Sequence, residues 1–517
     1  MRSFFFLYCF VTITIVSVTA QSTGYKEQYR PQYHFSPAQH WMNDPNGMFF
    51  YKGEYHLFYQ YYPGGNTWGP MHWGHAVSKD MVYWAHLPIA LYPDSLGYIF
   101  SGSAFVDWNN TSGLGANKQP PLIALFTYHN MAGEKAGHTD FQYQGLAYSN
   151  DKGRSWKKYD QNPVLPNTTG IKDFRDPKVI WHSATKQWIM TLAVKDHVEF
   201  WSSPNLLQWN YLSSFGNEVG AHGGVWECPD LFPMKVKETG AEKWVLLQSI
   251  NPGGPNGGSA TQYFVGDFDG KTFSVDALFK KTLWLDDGRD NYAGVTWSDV
   301  PATDGRRLFL GWMSNWDYAQ VVPTTVWRSA MTLPRALTLH KTKNGYQLQM
   351  NPVAEVKKLR GSTVKFLPTV IKKKLVLTNS SIPVQQSEWI FELELTDAST
   401  TNIGIVLSNS LNEKYTTGYN IKENVFFSNR MQEGKHSFSD KFAAGVHTAP
   451  RISTSKRIKL HLFIDASSVE LFADDGMVCM TDLIFPTKPF EQIQLITEGG
   501  GVKLLSAKGF ALKRIWN

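Results

Sequence analysis

Over its first three hundred residues the chain alternates short apolar runs with polar turns rich in glycine and proline. Apolar stripes at helical spacing are scarce. This pattern predicts short strands and tight turns, and so an all-β fold. A loose repeat lies on top of it. Ser78-Lys79-Asp80 leads to Trp84, Ser149-Asn150-Asp151 to Trp156, Ser202-Ser203-Pro204-Asn205 to Trp209, and Gly266-Asp267-Phe268-Asp269-Gly270 to Phe273. Each time an apolar strand enters a polar turn and an aromatic residue opens the return strand. A four-stranded propeller blade needs roughly 40–50 residues, more with long loops. The stretch from about 30 to 340 therefore has room for about five blades. On the repeat alone, a β-sandwich with coincidental turns is the competing reading.

From about residue 341 the texture changes. Lys341-Thr342-Lys343-Asn344-Gly345 is a polar break. Beyond it strands alternate cleanly: Ile458, Leu460, Leu462 and Ile464 are apolar, with Arg457, Lys459 and His461 interspersed. Val469-Glu470-Leu471 returns after Asp465-Ala466-Ser467-Ser468. The pattern suits antiparallel sheets with one wet face, so a β-sandwich is expected over 353–517. No carboxylate constellation there reads as catalytic.

Composition narrows the function. A chain of 517 residues is too long for one small core and fits two domains. Arg2 precedes an apolar run from Phe4 to Val18, and Val18-Thr19-Ala20 suits a small-residue cleavage site. Residues 1–20 thus read as an export signal, and the mature protein as secreted and extracellular. The run is short for a membrane span, and no later stretch reaches the ~20 apolar residues a spanning helix needs. The net charge of +6 is small for this length, and no Lys/Arg cluster suggests a nucleic-acid partner. Of three cysteines, Cys9 falls in the expected leader, which leaves Cys228 and Cys479. So few cannot form a disulfide framework. Cys228 also adjoins a candidate catalytic residue, so no bridge between the two is expected. Asn109, Asn110, Asn167 and Asn379 each begin an Asn-x-Ser/Thr triplet and are glycan candidates in a eukaryotic host.

Three acidic segments carry the candidate chemistry: Trp41-Met42-Asn43-Asp44-Pro45-Asn46-Gly47, Phe174-Arg175-Asp176-Pro177 and Glu227-Cys228-Pro229-Asp230. Each has a proline within two residues of the acid. Asp44 and Asp176 directly precede proline, which forces an extended backbone and suits an acid at a strand end facing a central funnel. Taken singly, Asp-Pro-Asn-Gly is also a good turn, and an Arg-Asp neighbour pair is often a surface feature. Three such segments on successive blades point instead to glycoside hydrolysis. That reaction needs two carboxyl groups flanking the scissile bond, about 5–5.5 Å apart for a nucleophile or about 6.5–9.5 Å for a base. Asp44 is short and fixed by Asn43 and Pro45. Glu227 is longer and can reach a leaving oxygen, with Trp226 and Cys228 expected to give it low-polarity surroundings. Arg175 is expected to bind sugar hydroxyls and keep Asp176 ionised. Side chains alternate along a strand, so Arg175 and Asp176 share one pocket only if the strand distorts near Pro177.

At these segments the sequence resembles glycoside hydrolase family 32, the invertases, levanases and exo-inulinases. The likeness runs from about Tyr33 to the end. Further matching stretches are Phe58-Tyr59-Gln60, Trp68-Gly69, Trp73-Gly74-His75, Phe100-Ser101-Gly102-Ser103, Asp290-Asn291-Tyr292-Ala293 and Asn315-Trp316-Asp317-Tyr318. Tyr61-Tyr62-Pro63-Gly64-Gly65-Asn66-Thr67-Trp68 and Asn251-Pro252-Gly253-Gly254-Pro255 are similar to bacterial levanases. The resemblance implies a five-bladed β-propeller catalytic domain followed by a C-terminal β-sandwich. It also implies retaining hydrolysis of terminal β-fructofuranosides through a fructosyl-enzyme intermediate. By matching motifs, Asp44 is the implied nucleophile, Glu227 the acid/base and Asp176 the transition-state stabiliser. Asn43, Gln60, Trp68, Phe100, Ser101, Arg175, Tyr292 and Trp316 are implied to line the fructose subsite.

No cofactor is expected. His72 and His75 form His-x-x-His, but no third ligand is evident and a strand would turn the two to opposite faces, so no metal site is expected. Phe100-Ser101-Gly102-Ser103 is not the Gly-x-Ser-x-Gly elbow of a hydrolase triad. Two other readings share the scaffold. A non-catalytic sugar-binding propeller would have no need for the intact trio Asp44, Asp176 and Glu227. A fructosyltransferase would use the same trio with a sugar in place of water. The expected partner is a small carbohydrate: sucrose, levan or inulin.

Overall fold

A computed structural model describes residues 24–279, 281–343 and 345–516. The expected leader, residues 1–20 with Cys9, lies outside the described residues. Among these residues the regular elements are almost all strands, and the only α-helix is the short Met131–Lys135. Five mainly antiparallel sheets follow one another between His40 and Pro352. Their first strands are His40–Tyr51, Tyr98–Val106, Phe174–His182, Val225–Lys235 and Tyr292–Thr296. Each packs against the first strand of the next sheet, and the fifth packs against the first, so these innermost strands close a ring. A latch completes it: Trp327–Arg328 pairs in parallel with His40 and Trp41, and the His40 N–H donates to the Val326 carbonyl at 2.8 Å.

The sequence repeat is one turn used four times. It joins the third and fourth strands of each of the first four sheets, as between His72–Ser78 and Trp84–Leu91 or between His197–Ser203 and Asn210–Phe215. Asp80 Oδ1 accepts from the Val82 and Tyr83 N–H groups, both at 3.1 Å. Asp151, Asn205 and Asp269 accept from backbone N–H groups in the same way. In three of the turns the tryptophan closes the loop by donating its indole N–H to a turn carbonyl: Trp84 to Met81, Trp156 to Gly153 and Trp209 to Leu206. The polar residues are therefore fixed by backbone groups that would otherwise lack partners.

The C-terminal part is a seven-stranded and a six-stranded sheet with a shared core. Ile458, Leu460, Leu462 and Ile464 point into it and are fully buried, as their alternation predicts. Two expectations change. The polar break near residue 341 lies inside the fifth sheet, where it joins strands Arg335–Thr342 and Gly345–Pro352. The fifth sheet therefore runs to Pro352 rather than ending near 340, because a short polar run reads equally as a linker or as a hairpin turn. The face of the seven-stranded sheet expected to be wet is partly dry as well. Glu470 and Asp465 are completely buried beneath the propeller.

Those two acids belong to an ionic seam between the two parts. Arg335 donates to Asp286 at 2.8 Å, to Glu470 at 2.6 Å and to Thr481 Oγ1 at 2.7 Å. His34 bridges Asp465 and Glu470, at 2.7 Å each. Burial alone would lower the His34 pKa, but the bonds to Asp465 and Glu470 outweigh it and raise it to about 9. A second seam links Arg430 to Asp290 at 2.6 Å and to the Tyr318 hydroxyl at 2.7 Å. Removing one partner of a buried pair costs about 3–5 kcal/mol, because the other charge is left unpaired. Arg335→Met is accordingly expected to lower the urea midpoint of unfolding followed by tryptophan fluorescence. An unchanged midpoint would show that this seam adds nothing to stability.

Candidate active site

The site lies where the five innermost strands begin, and each strand carries one extra residue at that place. In the first, Met42 faces Tyr61 but Pro45 faces Tyr59, so Asn43 and Asp44 are bulged. Like shifts fall between Ile99 and Gly102, Arg175 and Lys178, Glu227 and Asp230, and Tyr292 and Val295. A bulge breaks the strict alternation of side chains and turns neighbours toward one side. This is how Arg175 and Asp176 share a pocket: Asp176 sits at φ 65° just before Pro177. Asp-Pro-Asn-Gly is thus part of a doubly bulged strand rather than a turn. Gly47, at φ 50°, is needed there, since a Cβ would lie 2.8 Å from both Phe58 and Trp73.

These distortions form a cavity of about 340 Å³. Asn43, Asp44, Gln60, Trp68, Phe100, Ser101, Arg175, Asp176, Glu227 and Trp316 all line it. Tyr292 lies just behind and donates its hydroxyl to Glu227 Oε2. The sequence-derived set therefore converges on one place. Asp44 accepts from Ser101 Oγ at 2.7 Å and from Asn43 Nδ2 at 3.0 Å, while Asn43 is itself held by the Trp41 indole at 2.7 Å. Asp176 accepts from the Cys228 backbone N–H at 3.0 Å. Its own N–H donates to Thr127 Oγ1 at 2.9 Å. Arg175 donates to Glu227 Oε1 at 3.1 Å, to Asp173 at 2.7 Å and to Gln142 at 3.3 Å. Gln60 is fixed by donating to the Ile99 carbonyl at 3.0 Å. Trp68 meets Phe100 edge to face, and Trp316 stacks on Trp41.

Electrostatics follow from the crowding. Burial, then the Glu227 charge, raises the Asp44 pKa, while the Ser101 and Asn43 hydrogen bonds oppose the rise. Asp176 is pushed up to about 7, chiefly by burial; Arg175 opposes this, and Glu227 and Asp44 add to it. The Cys228 sulfur lies 3.6 Å from Asp44 Oδ2 and 3.7 Å from Asp176 Oδ2. Burial and the three carboxyl groups push its thiol well up, so it remains a neutral donor. Cys228 and Cys479 are both free and buried.

Several expectations need correction. Trp226 does not line the cavity. It packs between the third and fourth sheets and donates its indole N–H to the Ala221 carbonyl at 2.9 Å, because it precedes the bulge and points to the other face. Asn167 is buried with its amide nitrogen donated to the Ile171 carbonyl at 2.8 Å, so the atom a glycan would join is already engaged. Asn109 and Asn110 are exposed, and Asn379 is half-buried. His75 stacks on Phe58 in the core while His72 bonds the Pro70 carbonyl. Sequence reasoning missed the rim formed by His129, Glu134, Phe141, Gln142, Lys172 and Asp173. These residues come from two strand ends, the short helix and two loops, and share no local motif. The only signal was Asp173, two positions before Arg175.

Three carboxyl groups around a sugar-sized pocket, with an arginine, amide and hydroxyl donors and aromatic walls, equip a propeller as a glycoside hydrolase. The profile for the N-terminal domain of glycosyl hydrolases family 32 matches residues 34–352, and that for the family 32 C terminal matches residues 355–511. The chain belongs to glycoside hydrolase family 32. It is 47% identical to a levanase of Bacillus subtilis over 98% of this chain and 74% of that protein. It is 36% identical to an extracellular exo-inulinase of Aspergillus niger over 98% of this chain and 99% of that one. The crystal structure of exo-inulinase from Aspergillus awamori matches with a TM-score of 0.86 at 33% identity, covering 95% of this chain and all of that one.

The Ser101 hydroxyl favours the ionised form of Asp44, so Ser101→Ala should raise the pH at which Asp44 ionises. The acid limb of the kcat/KM profile is then expected to move to higher pH. A limb that stays in place would remove Asp44 as the group that sets it.

Proposed function

We propose that the protein is a secreted, retaining β-fructofuranosidase that removes terminal fructose units from sucrose, levan and inulin. The observation that carries this reading is the placing of Asp44 beside Asp176, with Glu227 in the same cavity and clamped by Arg175 and Tyr292. Asp44 would attack the anomeric carbon and form the fructosyl ester. Glu227 would give its proton to the leaving oxygen and then take one from the incoming water. Asp176 would accept from fructose hydroxyls, through contacts that strengthen as positive charge develops on the ring. The levanase and exo-inulinase relatives support fructosides as the substrate class. The apolar leader and the extracellular relatives support export.

The pocket also argues for attack at chain ends. Below it the ring is filled by buried Lys178, Asp230 and Thr296. Lys178 Nζ donates to the Thr296 carbonyl at 2.6 Å, and the Thr296 N–H donates to Asp230 at 2.6 Å. A cavity closed at its base admits a terminal sugar but not a continuing chain.

Asp44→Asn should lower kcat on sucrose by about four orders of magnitude or more, since an amide cannot form the ester. Wild-type turnover in that variant would overturn the assignment. Early products from levan or inulin should be fructose alone, and with methanol present the transfer product should be the methyl β-fructofuranoside. A ladder of oligosaccharides would mean internal cutting; the methyl α-fructoside would mean inversion.

A further inference from the structure

The innermost strands run from the active-site mouth to the opposite end of the ring, and a second cavity of about 260 Å³ lies at that far end. It is lined by the later residues of the strands whose first residues line the active site: Val106 after Ser101, Trp181 after Asp176, and Asp230 after Glu227. The reaction derived above makes no use of it.

Its walls are aromatic. Trp108 is 60% exposed, yet it is held firmly, because its indole N–H donates to Asp299 Oδ1 at 2.8 Å. The other oxygen of Asp299 accepts from the Val106 N–H at 2.8 Å. A carboxylate that burial pushes up to about 6 is thus engaged in fixing an exposed ring. A loose surface indole would need no such support. Trp181 forms a second wall, braced edge to face on Trp188.

Its polar groups are incompletely satisfied. Arg307 lies over the Phe232 ring at 4.7 Å, and its guanidinium has no hydrogen-bond acceptor among the described residues. Completely buried Asp230 pairs one oxygen with Lys178 at 3.3 Å and leaves the other without a hydrogen-bond partner, while its charge also attracts Arg307. Unmet donors and an unmet acceptor in one cavity call for a ligand that supplies both. A bare anion would satisfy Arg307 but would be repelled by Asp230 and Asp299. A cation would meet the reverse problem at Arg307 and Lys178. Vicinal hydroxyls accept and donate, carry no charge, and leave C–H faces for indole rings. From this we infer that the far mouth of the ring is a second carbohydrate site, which seats one neutral sugar unit of a fructan chain between Trp108 and Trp181, on Arg307.

The choice of fructan rests on the fructosidase reading, whereas the need for a neutral polyol does not. The test is affinity electrophoresis in native gels containing levan, with dextran gels in parallel. Protein made without glycosylation carries Asp44→Asn throughout so that the matrix is not digested. Residual binding at the active site is then common to all samples. Adding Trp108→Ala or Arg307→Met should weaken retardation by levan about five- to tenfold in apparent Kd, the effect of losing one aromatic or charged sugar contact. The same substitutions with Asp44 intact should leave sucrose kcat/KM within about twofold, which also reports that the fold is preserved. Equal retardation of all three proteins in levan would overturn the inference, as would an effect confined to dextran. Failure of sucrose cleavage by the wild-type protein would strike the fructosidase reading alone.

Discussion

Three carboxyl groups share one small pocket, and their mutual repulsion must be offset while Asp44 stays ionised. Burial raises the proton affinity of Asp44 and Asp176, the Glu227 charge raises both further, and Asp44 adds to the rise at Asp176. Holding them together therefore requires donors at fixed positions. The bulged first strands supply those donors. Ser101 and Asn43 serve Asp44, the Cys228 backbone serves Asp176, and Arg175 and Tyr292 serve Glu227. Each donor comes from an innermost strand, so the ring itself is the electrostatic scaffold. A single strand could not do this, because regular alternation would send every second side chain away from the site.

Much of this is legible in the sequence, for a physical reason. An acid within two residues of a proline marks a backbone that resists helix, and three such marks on a strand-rich chain locate three strand ends. Arg175 and Asp176 also expose the tension that the bulge resolves. What the sequence conceals is what depends on distant pairing. Glu470 sits in a hairpin that reads as half-wet, yet it is buried because Arg335 and His34 arrive from the other part of the chain. The rim residues Glu134 and Lys172 fall in a one-turn helix and a loop whose composition is ordinary. Trp226 misleads because one position decides which face a side chain takes, and the bulge begins just after it.

The seam between the two parts also bears on the pocket. Asp290 binds Tyr318 and Arg430, and it lies two residues before Tyr292, which holds Glu227. Trp316 faces the pocket from the segment in which Asn315 donates to the Arg289 carbonyl at 2.7 Å and Asp317 pairs with Arg289. Lys441 of the C-terminal part reaches Asp317 at 2.7 Å. Two pocket residues are thus anchored through contacts that cross the seam. The C-terminal sheets act as a brace for the fifth sheet.

The latch between His40–Trp41 and Trp327–Arg328 carries a consequence for how the protein is made. The strand bearing Asp44 emerges from the ribosome early, whereas its parallel partner emerges only after three more sheets and the first two strands of the fifth have been synthesised. Contacts so distant along the chain form late, and a partly made ring exposes unpaired strand edges meanwhile. For the secreted protein proposed above, this delay is an advantage: a ring that cannot close until Trp327 is made leaves the chain open while it crosses a membrane, and the pocket forms only afterwards.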